Sequence, residues 1–273
     1  MEKQAITSRL TQSEKKKLKS LRTKKGRNRE RLFIAEGIRL LEESLKFRRW
    51  PQKVYYAPSE IAARAKKLLD NFRNLSIPIQ AGPARAMNQL SDAETGQGVL
   101  GLFEIPQYTD DELFKNCHYI LLLDNISDPG NAGTLMRSAL AFGFDTVLFL
   151  SNSVDPYNPK VVRSTAGAIF GLKVKTAEAA DIIYIRKKLK IPLIIADLNG
   201  NKMETELKKI KSFKDFILAI GSERAGLSTD IRKLADLSLR IDHRQEVESL
   251  NAAVAGSIIM HRMFSGKIIK VIA

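Results

Sequence analysis

Three polar segments of the sequence hold residues that could do chemistry, and each directly follows an apolar run. The first, residues 124–133, contains two Asp, two Asn, two Gly and one Pro within ten positions. Asn131 is predicted to cap the helix that follows, and the free N–H groups at a helix start attract phosphate. Arg137 adds a cation six residues later. The segment predicts an anion-binding loop, although a capped turn with a surface arginine would have the same sequence.

The other two segments add a carboxylate and two hydrogen-bonding side chains. In residues 221–228, two glycines would let a ligand approach the backbone closely, and Glu223 lies between them. Residues 241–251 lead into the last helix, with Ser249 and Asn251 at its entrance. No lysine follows the second glycine, so the loop is not a P-loop, and the chain contains no G-x-G-x-x-G. A generic NAD oxidoreductase is therefore disfavoured.

The elements that must position these loops are predicted to form a parallel sheet. Short apolar runs precede the loops, and helical patterns separate most of the runs. The predicted strands cover residues 119–123, 146–150, 193–196, 216–220 and 237–241. In open parallel sheets, ligands bind outside the carboxyl ends of the strands. Three polar loops after successive strands therefore favour a shared site more than any one loop does.

The last helix is predicted to pack very closely against its neighbours. Five of the six residues at 252–257 are Ala, Gly or Ser, which lets neighbouring backbone come near. Leu250, Val254 and Ile258 form one apolar stripe at helical spacing. We expect this segment to lie in a densely packed environment.

Residues 10–104 show a separate alternation of strand and helix patterns, which predicts a first α/β unit. Strands are predicted at 31–35, 53–57, 76–80 and 97–105, and helices at 15–22, at 36–47 and from 58 onward. A polar connector with a proline, residues 105–116, marks the boundary. Trp50, the only tryptophan, follows two arginines. It could stack on a base, but we expect it to pack under this first domain.

Composition limits the class of protein. The chain has 273 residues, of which 44% are hydrophobic, so it can bury a core and is not disordered throughout. Cys117 is the only cysteine, which excludes a disulfide scaffold and is typical of a reducing compartment. No apolar run approaches the roughly 18 residues of a membrane span, and residues 1–25 lack the core of a secretory signal. We therefore predict a soluble, cytoplasmic protein with no membrane partner and no metal site.

Positive charge is concentrated at the start of the chain. The formal net charge is +15, and the first 50 residues hold 16 Lys/Arg against 6 Asp/Glu, a net charge of +10. Such a basic block indicates a polyanionic partner, most often nucleic acid, with a solubilising surface as the alternative. The candidate phosphate-binding residues are Lys15, Lys16, Lys17, Lys19, Arg22, Lys24, Lys25, Arg27 and Arg29.

In order and spacing, the three loops together resemble the SpoU (TrmH) branch of the SPOUT RNA methyltransferases. The matching residues are Asp124, Asn125, Asp128, Pro129, Asn131, Gly133 and Arg137, then Gly221, Glu223, Gly226, Leu227 and Ser228, then Ile241, Ser249, Leu250 and Asn251. The resemblance covers about residues 118–265. Residues 33–37 resemble the small substrate-binding domain of many members. Asp242 and His243 depart from the pattern, since members often have Pro after the isoleucine.

The resemblance implies an α/β fold with two domains. Residues 118–273 would form an α/β trefoil knot with a mostly parallel sheet, residues 106–117 a linker, and residues 1–105 a smaller α/β RNA substrate-binding domain. It also implies S-adenosyl-L-methionine as cofactor, RNA as substrate and a homodimer. The cofactor-binding positions are Gly221, Ile241 and Leu250, with Leu198 and Gly200 as neighbours. The catalytic positions are Asn131, Arg137, Glu223, Ser249 and Asn251.

The implied reaction is methyl transfer to a ribose 2′-hydroxyl, with 23S ribosomal RNA favoured as substrate. Arg137 is the family's proposed base, but an arginine with a pKa above about 12 rarely loses its proton, so we assign it to phosphate binding and alkoxide stabilisation. Glu223 is expected to orient an arginine, and Ser249 and Asn251 to position ribose or cofactor. A tRNA 2′-O-methyltransferase and an antibiotic-resistance rRNA methyltransferase stay open. A non-catalytic RNA-binding or ribosome-assembly protein is least favoured, because the catalytic set is intact.

Overall fold

The computed structural model describes residues 10–90, 98–114, 117–244 and 246–264. The chain divides into two compact units. The first combines the residues up to Pro106 with Tyr157–Phe170, and the second combines Gln107–Pro156 with the residues from Gly171 onward. The sequence prediction divides the chain only once, at residues 106–117, and so leaves Tyr157–Phe170 with the second domain.

The first unit contains a four-stranded mixed sheet in the order β1-β4-β2-β3. Its strands are β1 Leu32–Glu36, β2 Lys53–Tyr56, β3 Ile79–Ala81 and β4 Val99–Glu104. Strand β4 is antiparallel to β1 and β2, whereas β2 and β3 are parallel. The helices from this part of the chain are α1 Gln12–Ser20, α2 Lys24–Glu30, α3 Ile38–Lys46, α4 Ala63–Asn74 and α5 Ala84–Leu90. The helix expected from residue 58 begins later, because Glu60 N–H bonds to Ala57 C=O and closes a turn there.

An aromatic cluster accounts for the place of Tyr157–Phe170 in the first unit. The ring of Phe170 lies 4.8 Å from that of Phe103, and the ring of Tyr157 lies 5.0 Å from that of Phe33. All four rings are buried. Such pairs contribute about 0.5–1.5 kcal/mol each beyond the area that they bury.

The second unit contains six strands, all parallel, in the order β10-β8-β9-β5-β6-β7. They are β5 Tyr119–Asp124, β6 Thr146–Leu150, β7 Lys173–Ala177, β8 Leu193–Lys202, β9 Phe216–Gly221 and β10 Leu237–Arg240. The helices after residue 106 are α6 Asp110–Phe114, α7 Pro129–Ala141, α8 Pro159–Ser164, α9 Ala168–Gly171, α10 Ala179–Leu189, α11 Met203–Ser212, α12 Thr229–Lys233 and α13 Ala252–Met263. Of these, α8 and most of α9 belong to the first unit. None of the helices within the described ranges is long and apolar enough to cross a membrane.

Burial explains which strands the sequence predicts. Strand β6 is buried along its whole length, and β5 and β9 are buried at all but one residue, so they are continuous apolar runs in the sequence. Strand β7 was not predicted, because it lies at the sheet edge and alternates Lys173 and Lys175 with apolar residues. The connector at 105–116 is not purely polar, since α6 buries Leu113 and Phe114.

Strand β8 interrupts the regular ladder. Its first residues pair with β9, and its pairing with β10 jumps from Ile195 opposite Ser238 to Asn201 opposite Leu239. Residues 196–200 therefore lie outside this register and form a bulge at the carboxyl edge of the sheet. The sequence prediction ended this strand at residue 196, before Leu198 and Gly200, whereas the structure keeps both within β8.

The small residues of α13 form its buried face. Ala252, Ala253 and Gly256 are buried, and a Cβ on Gly256 would overlap Cδ2 of Leu135 in α7. The predicted close packing is therefore observed. The apolar stripe is not the packed face, because Val254 and Ile258 are 49% and 37% exposed.

Candidate active site

A cavity lies where three adjacent strands of the second unit end. Because β8, β9 and β10 are parallel neighbours, the segments that follow them meet at one edge of the sheet. The cavity has a volume of 360 Å³, and its walls come from the β8 bulge, the turn after β9, the segment after β10 and the start of α13. Small-molecule sites typically occupy about 300–1,000 Å³. The edge predicted to carry the chemistry therefore holds a cavity of suitable size.

Most of the predicted cofactor-binding residues line this cavity. They are Leu198, Gly221, Ile241 and Leu250. Gly200 does not line it but lets β8 return to the sheet, since a Cβ there would lie 2.7 Å from Leu239 N and Ser238 O. Its contribution is to hold the bulge that forms one wall.

The turn after β9 requires a glycine at each end. Gly226 has φ of +61°, which favours glycine, and its N–H donates to Ser222 C=O over 2.9 Å. A Cβ on Gly221 would overlap the backbone of Gly226 and Leu227. This tight turn places Glu223 at the cavity wall.

Three of the predicted catalytic residues form one hydrogen-bonded cluster. Glu223 Oε1 accepts from Asn131 Nδ2 at 3.0 Å and from Asn251 Nδ2 at 2.9 Å. Asn251 Nδ2 also lies 2.9 Å from Asn131 Oδ1. The residues are 120 positions apart at most, in three different motifs. The fold therefore joins the three polar loops at a single carboxylate oxygen.

The start of α13 supports this carboxylate. Ala252 N–H, the first of the helix, donates to Glu223 Oε1 at 2.8 Å. Asn251 is the N-cap, and its Oδ1 accepts from the N–H groups of Ala253 and Val254. A carboxylate is favoured at a helix N-terminus by the macrodipole. Glu223 Oε2 has no partner among the described residues, so it is available to a ligand.

The other two predicted catalytic residues lie outside the cluster. Ser249 lines the cavity. Arg137 is exposed on α7, does not line the cavity, and donates no hydrogen bond to any residue within the described ranges. Glu223 does not pair with an arginine among the described residues, and amide N–H groups occupy its Oε1, so its expected role in orienting an arginine stays a prediction.

The first loop also differs from its prediction at the helix start. The N-cap of α7 is Asp128, whose Oδ1 accepts from Asn131 N at 2.7 Å, and Pro129 occupies the first helical position. The predicted cap at Asn131 is wrong, since the N-cap lies three residues earlier and the helix begins at Pro129. Because Asp128 is the cap, the side-chain amide of Asn131 is free to bind Glu223.

A buried carboxylate, which the sequence analysis matched to the family pattern without assigning it a role, connects the first loop to the segments after β6 and β9. Asp124, fully buried, accepts from Ser228 N at 2.6 Å and from Asn152 Nδ2 at 2.8 Å. Asn125 has φ of +60°, and its Nδ2 donates to Gly226 C=O at 3.3 Å. The Asp-Asn pair of the first motif is therefore structural. Its position at the end of an apolar strand was the available signal.

Sequence reasoning also missed an ion pair in the cavity wall. Asp197 and Arg232 both line the cavity and pair with each other, and Arg232 Nε also donates to Leu227 C=O at 3.1 Å. The Asp197 side chain is nearly buried. An aspartate directly after an apolar run was the signal that could have identified it.

Of the two residues that depart from the family pattern, His243 lines the cavity and Asp242 does not. Asp242 does not line it, because it binds Lys202 Nζ at 3.0 Å and Arg240 Nε at 3.1 Å. The hydrogen bond from Lys202 is the main reason why the pKa of Asp242 is lowered. His243 does line the cavity, with Nδ1 2.9 Å from Ile241 O. The aspartate is thus held at the surface while the histidine faces the ligand space.

Comparison with known families gives a match that covers most of the second part of the chain. The model of the SpoU rRNA Methylase family matches residues 118–261, more than half of the 273. The chain belongs to the SpoU rRNA methylase family. The family and the methyltransferase class predicted from the three loops are confirmed. An MRM3-like substrate binding domain matches residues 13–101.

Individual relatives match this SpoU methylase over 90% or more of its length. The 23S rRNA (guanosine(2553)-2′-O)-methyltransferase RlmP of Bacillus subtilis is 28% identical over 245 residues, 90% of this chain and 93% of the relative. The SpoU methyltransferase AviRb from Streptomyces viridochromogenes, solved with AdoMet, has a TM-score of 0.81 at 23% identity, over 93% of this chain and 97% of that chain. An AdoMet-bound rRNA methyltransferase from Sinorhizobium meliloti has a TM-score of 0.78 at 23% identity, over 94% and 96%. The predicted trefoil-knot α/β fold class is confirmed.

The cavity of this SpoU methylase fits S-adenosylmethionine chemically. Ile220, Leu239 and Leu250 offer an apolar wall for a purine ring, and Glu223 and Glu248 offer carboxylates for a cation. Gly221 and Gly226 have no side chain, so a ligand can approach the backbone of the turn after β9 closely. A cofactor that combines an adenine ring with a sulfonium and an ammonium group matches this donor set.

The predicted RNA-binding residues lie on α1 and α2 of the first unit and in the link between them. Eight of the nine reach solvent at least in part, namely Lys15, Lys16, Lys17, Lys19, Arg22, Lys24, Lys25 and Arg29. Arg27 is different, because it is only 2% exposed and its Nη1 donates to Leu21 C=O at 2.7 Å. A buried guanidinium cannot reach a phosphate, so Arg27 stabilises the α1–α2 link instead.

Proposed function

We propose that this chain transfers a methyl group from S-adenosylmethionine to a ribose 2′-hydroxyl of 23S ribosomal RNA. The observation that carries the proposal is the Asn131–Glu223–Asn251 cluster at the wall of a cofactor-sized cavity, in a SpoU methylase. The B. subtilis relative named for this reaction matches 90% of the chain, so the substrate domain as well as the catalytic domain supports it.

The residues that would hold the cofactor are those that line the cavity. Leu198, Ile241 and Leu250 would contact the adenosine, with the Gly221 backbone beside them. When bound, the cofactor supplies an electrophilic methyl group on a sulfonium. Holding the ribose hydroxyl in line with that methyl is the larger task, since orientation supplies much of the rate of bimolecular steps.

Glu223 and Ser249 are placed to act on the ribose. Oε1 of Glu223 is held by three N–H donors, which fixes the direction of the carboxylate and leaves Oε2 to accept the 2′-hydroxyl proton or to position the hydroxyl. Ser249 at the cavity wall can donate to a ribose oxygen. The exposed Arg137 would bind a phosphate flanking the target and offset the charge of the developing alkoxide.

The expected consequence of Arg137→Ala is loss of methyl transfer while cofactor affinity changes little. Arg137 does not line the cavity, and exposed substitutions usually change the free energy of unfolding by less than about 0.5 kcal/mol. Methyl transfer to deproteinised ribosomal RNA and calorimetric titration of S-adenosylmethionine measure the two quantities. Normal turnover of the variant would remove Arg137 from the mechanism.

A homodimer through the exposed side of α13 belongs to the same proposal. Val254 and Ile258 are apolar and outward-facing on a helix whose other side packs on α7. A second copy of this chain would cover them. In sedimentation equilibrium, Val254→Lys with Ile258→Lys should give a monomer, whereas Ile183→Lys, at a 39% exposed position on α10, should not. An unchanged mass for the double variant would rule out this interface.

The proposal also includes the cytoplasm as the compartment. Cys117 is a free thiol, and burial raises its pKa to about 11, so it stays neutral and unreactive. Fractionation of cells that carry an epitope-tagged copy tests the compartment.

Mapping of 2′-O-methylation across ribosomal and transfer RNA tests the substrate. Cells with and without this protein are compared, and we expect one 23S position to lose its methyl group. Restoration by the wild type and not by Glu223→Gln would tie the loss to catalysis. Loss of a tRNA position, with 23S unchanged, would reassign the substrate to tRNA.

A further inference from the structure

The only tryptophan of the chain is at the surface of the first unit. Trp50 is 44% exposed, so the expectation that it packs under this domain is wrong. A large exposed aromatic side chain is the informative exception to ordinary burial. Tyr184, 51% exposed on α10, has Lys188 Nζ 5.6 Å from its ring centroid. No described cation lies over the Trp50 ring in this way.

Backbone hydrogen bonds fix the position of Trp50 from both sides. Helix α3 ends in a Schellman pattern, in which Arg48 N–H bonds to Leu45 C=O at 3.0 Å and Arg49 N–H bonds to Ser44 C=O at 2.8 Å. On the other side, a buried proline follows Trp50, and Gln52 N–H then bonds to β4. The tryptophan is therefore presented by a rigid turn.

Two arginines directly precede Trp50 in the sequence. Arg48 and Arg49 are exposed, and neither guanidinium has a hydrogen-bond or ion-pair partner among the described residues. Arg48 also has φ of +54°, a conformation that costs a residue with a Cβ roughly 1 kcal/mol or more. Favourable interaction with the α3 dipole accounts for basic residues here, but it does not account for an exposed indole.

We propose that Arg48, Arg49 and Trp50 form a single-stranded RNA contact, in which the indole stacks on an unpaired base and the guanidinium groups bind the adjoining phosphates. Stacking on an aromatic side chain combined with Arg–phosphate contacts is how proteins hold unpaired nucleotides. The inference rests on the proposed function for its choice of RNA as the ligand. It adds a contact in the turn between α3 and β2, separate in the chain from the basic residues of α1 and α2.

Intrinsic fluorescence tests the stacking directly, because every tryptophan photon comes from residue 50. The full chain is titrated with an oligoadenylate of about 12 nucleotides, within typical single-strand site sizes. The matched probe is the same strand paired with oligouridylate. We expect the single strand to quench the emission and the duplex to leave it nearly unchanged. Binding of the single strand, seen by anisotropy of a labelled oligonucleotide, without quenching would overturn the proposal.

Substitutions separate stacking from charge. Trp50→Ala should weaken binding of the oligoadenylate by about tenfold or more with the salt slope unchanged, and Trp50→Tyr should restore most of the affinity. Arg49→Ala should reduce the slope of log K against log salt by about one. Tyr184→Ala is the matched control for an exposed aromatic residue and should bind like the wild type. Equal effects of Trp50→Ala and Tyr184→Ala would overturn the proposal.

A glycine substitution distinguishes binding from a structural role. Arg48→Gly and Lys190→Gly both relieve a left-handed residue at the end of a helix, so both should raise the Tm. Only Arg48→Gly should weaken the RNA complex, and equal affinity of the two variants would count against the proposal.

Methyl transfer measured with the wild type and the Trp50→Ala variant distinguishes failure of this RNA contact from failure of the proposed function. Wild-type turnover on ribosomal RNA with an unchanged half-saturating RNA concentration for Trp50→Ala would overturn this contact and leave the proposed function intact. Quenching without wild-type turnover would support the contact and contradict the proposed function.

Discussion

At the scale of single residues, the site depends on one carboxylate oxygen that accepts three hydrogen bonds. Glu223 Oε1 binds Asn131, Asn251 and the first N–H of α13. Hydrogen bonds to a charged group contribute about 1.5–3 kcal/mol each when they are protected from water, and less at an exposed site such as this one. The same group thus holds the loops together and lies at the cavity wall.

Glu223→Gln tests whether the charge of this group matters beyond its shape. The amide oxygen can still accept from Ala252 N–H, but the second amide atom cannot accept a proton. We expect methyl transfer to fall by about 100-fold or more, as loss of acid–base catalysis typically does, with a small decrease in Tm. Rates on ribosomal RNA and thermal unfolding are the measurements. Glu206→Gln on α11, outside the cavity, is the control, and an equal loss in both variants would argue against a role in chemistry.

At the residue scale, the sequence predicted which side chains gather but not how they bond. Asn131, Glu223 and Asn251 lie in three motifs whose order and spacing resemble the SpoU family. The acceptor and donors could not be assigned from spacing, because the partners are 28 to 120 positions apart. Asp197 and Arg232 were missed for the same reason, and His243 was noted as a departure from the pattern but not as a residue of the cavity wall.

At the scale of elements, the cavity exists because two segments leave the regular sheet. The bulge of β8 moves residues 196–200 out of register with β10, and the turn after β9 folds back on itself. Glycine makes both possible, since Gly200 and Gly221 lie against neighbouring backbone that a Cβ would overlap.

Gly221→Ala should therefore open the turn after β9. Backbone cannot move aside as a flexible side chain can, so the turn must shift where it lines the cavity. We expect affinity for S-adenosylmethionine to fall by at least about tenfold, which is 1.4 kcal/mol or more, as measured by calorimetry. Far-UV circular dichroism serves to confirm that the sheet persists. Wild-type affinity in the variant would mean that this turn does not shape the cofactor site.

The acid stability of the first unit should depend on Glu14. Partial burial raises the pKa of Glu14, but hydrogen bonds from Lys53 and Thr11 lower it further, to about 2 from an ordinary 4.5. Because the folded pKa is the lower one, this carboxylate stabilises the fold fully above pH 4.5 and loses that contribution as the pH falls toward 2. Glu14→Gln should lower Tm at pH 7 and flatten its fall below pH 4.5. If the Tm of the variant and of the wild type fell equally with pH across this range, the assignment would be contradicted. Glu204→Gln serves as the control and should leave the pH dependence of Tm unchanged.

At the scale of the whole molecule, charge and chemistry occupy different parts of the chain. The first 50 residues carry a net charge of +10 out of +15, whereas the predicted catalytic residues all follow residue 130. Phosphate contacts give affinity that falls steeply with salt, and cofactor contacts do not. Affinity for RNA and the rate of methyl transfer should therefore respond to different substitutions.

Removal of charge from the basic helices tests this separation in the full chain. Lys16→Ala, Lys19→Ala and Lys24→Ala together should reduce the slope of log K for ribosomal RNA against log salt by about three, while cofactor affinity stays constant. Filter binding at several salt concentrations measures the slope. Lys208, Lys209 and Lys211 on α11, replaced together by Ala, give a control with the same change in charge. If both triple variants lose the same slope, the basic block has no special part in RNA binding.

The sequence by itself determined the family, the parallel sheet and the residues that gather at its carboxyl edge, because residue types at fixed spacing and long apolar runs are local properties. Only the tertiary structure decided the rest. It placed Tyr157–Phe170 with the first unit, exposed Trp50, buried Arg27 and joined Asn131, Glu223 and Asn251 at one oxygen atom. Each of these depends on contacts between residues far apart in the chain, whose energies no local pattern records.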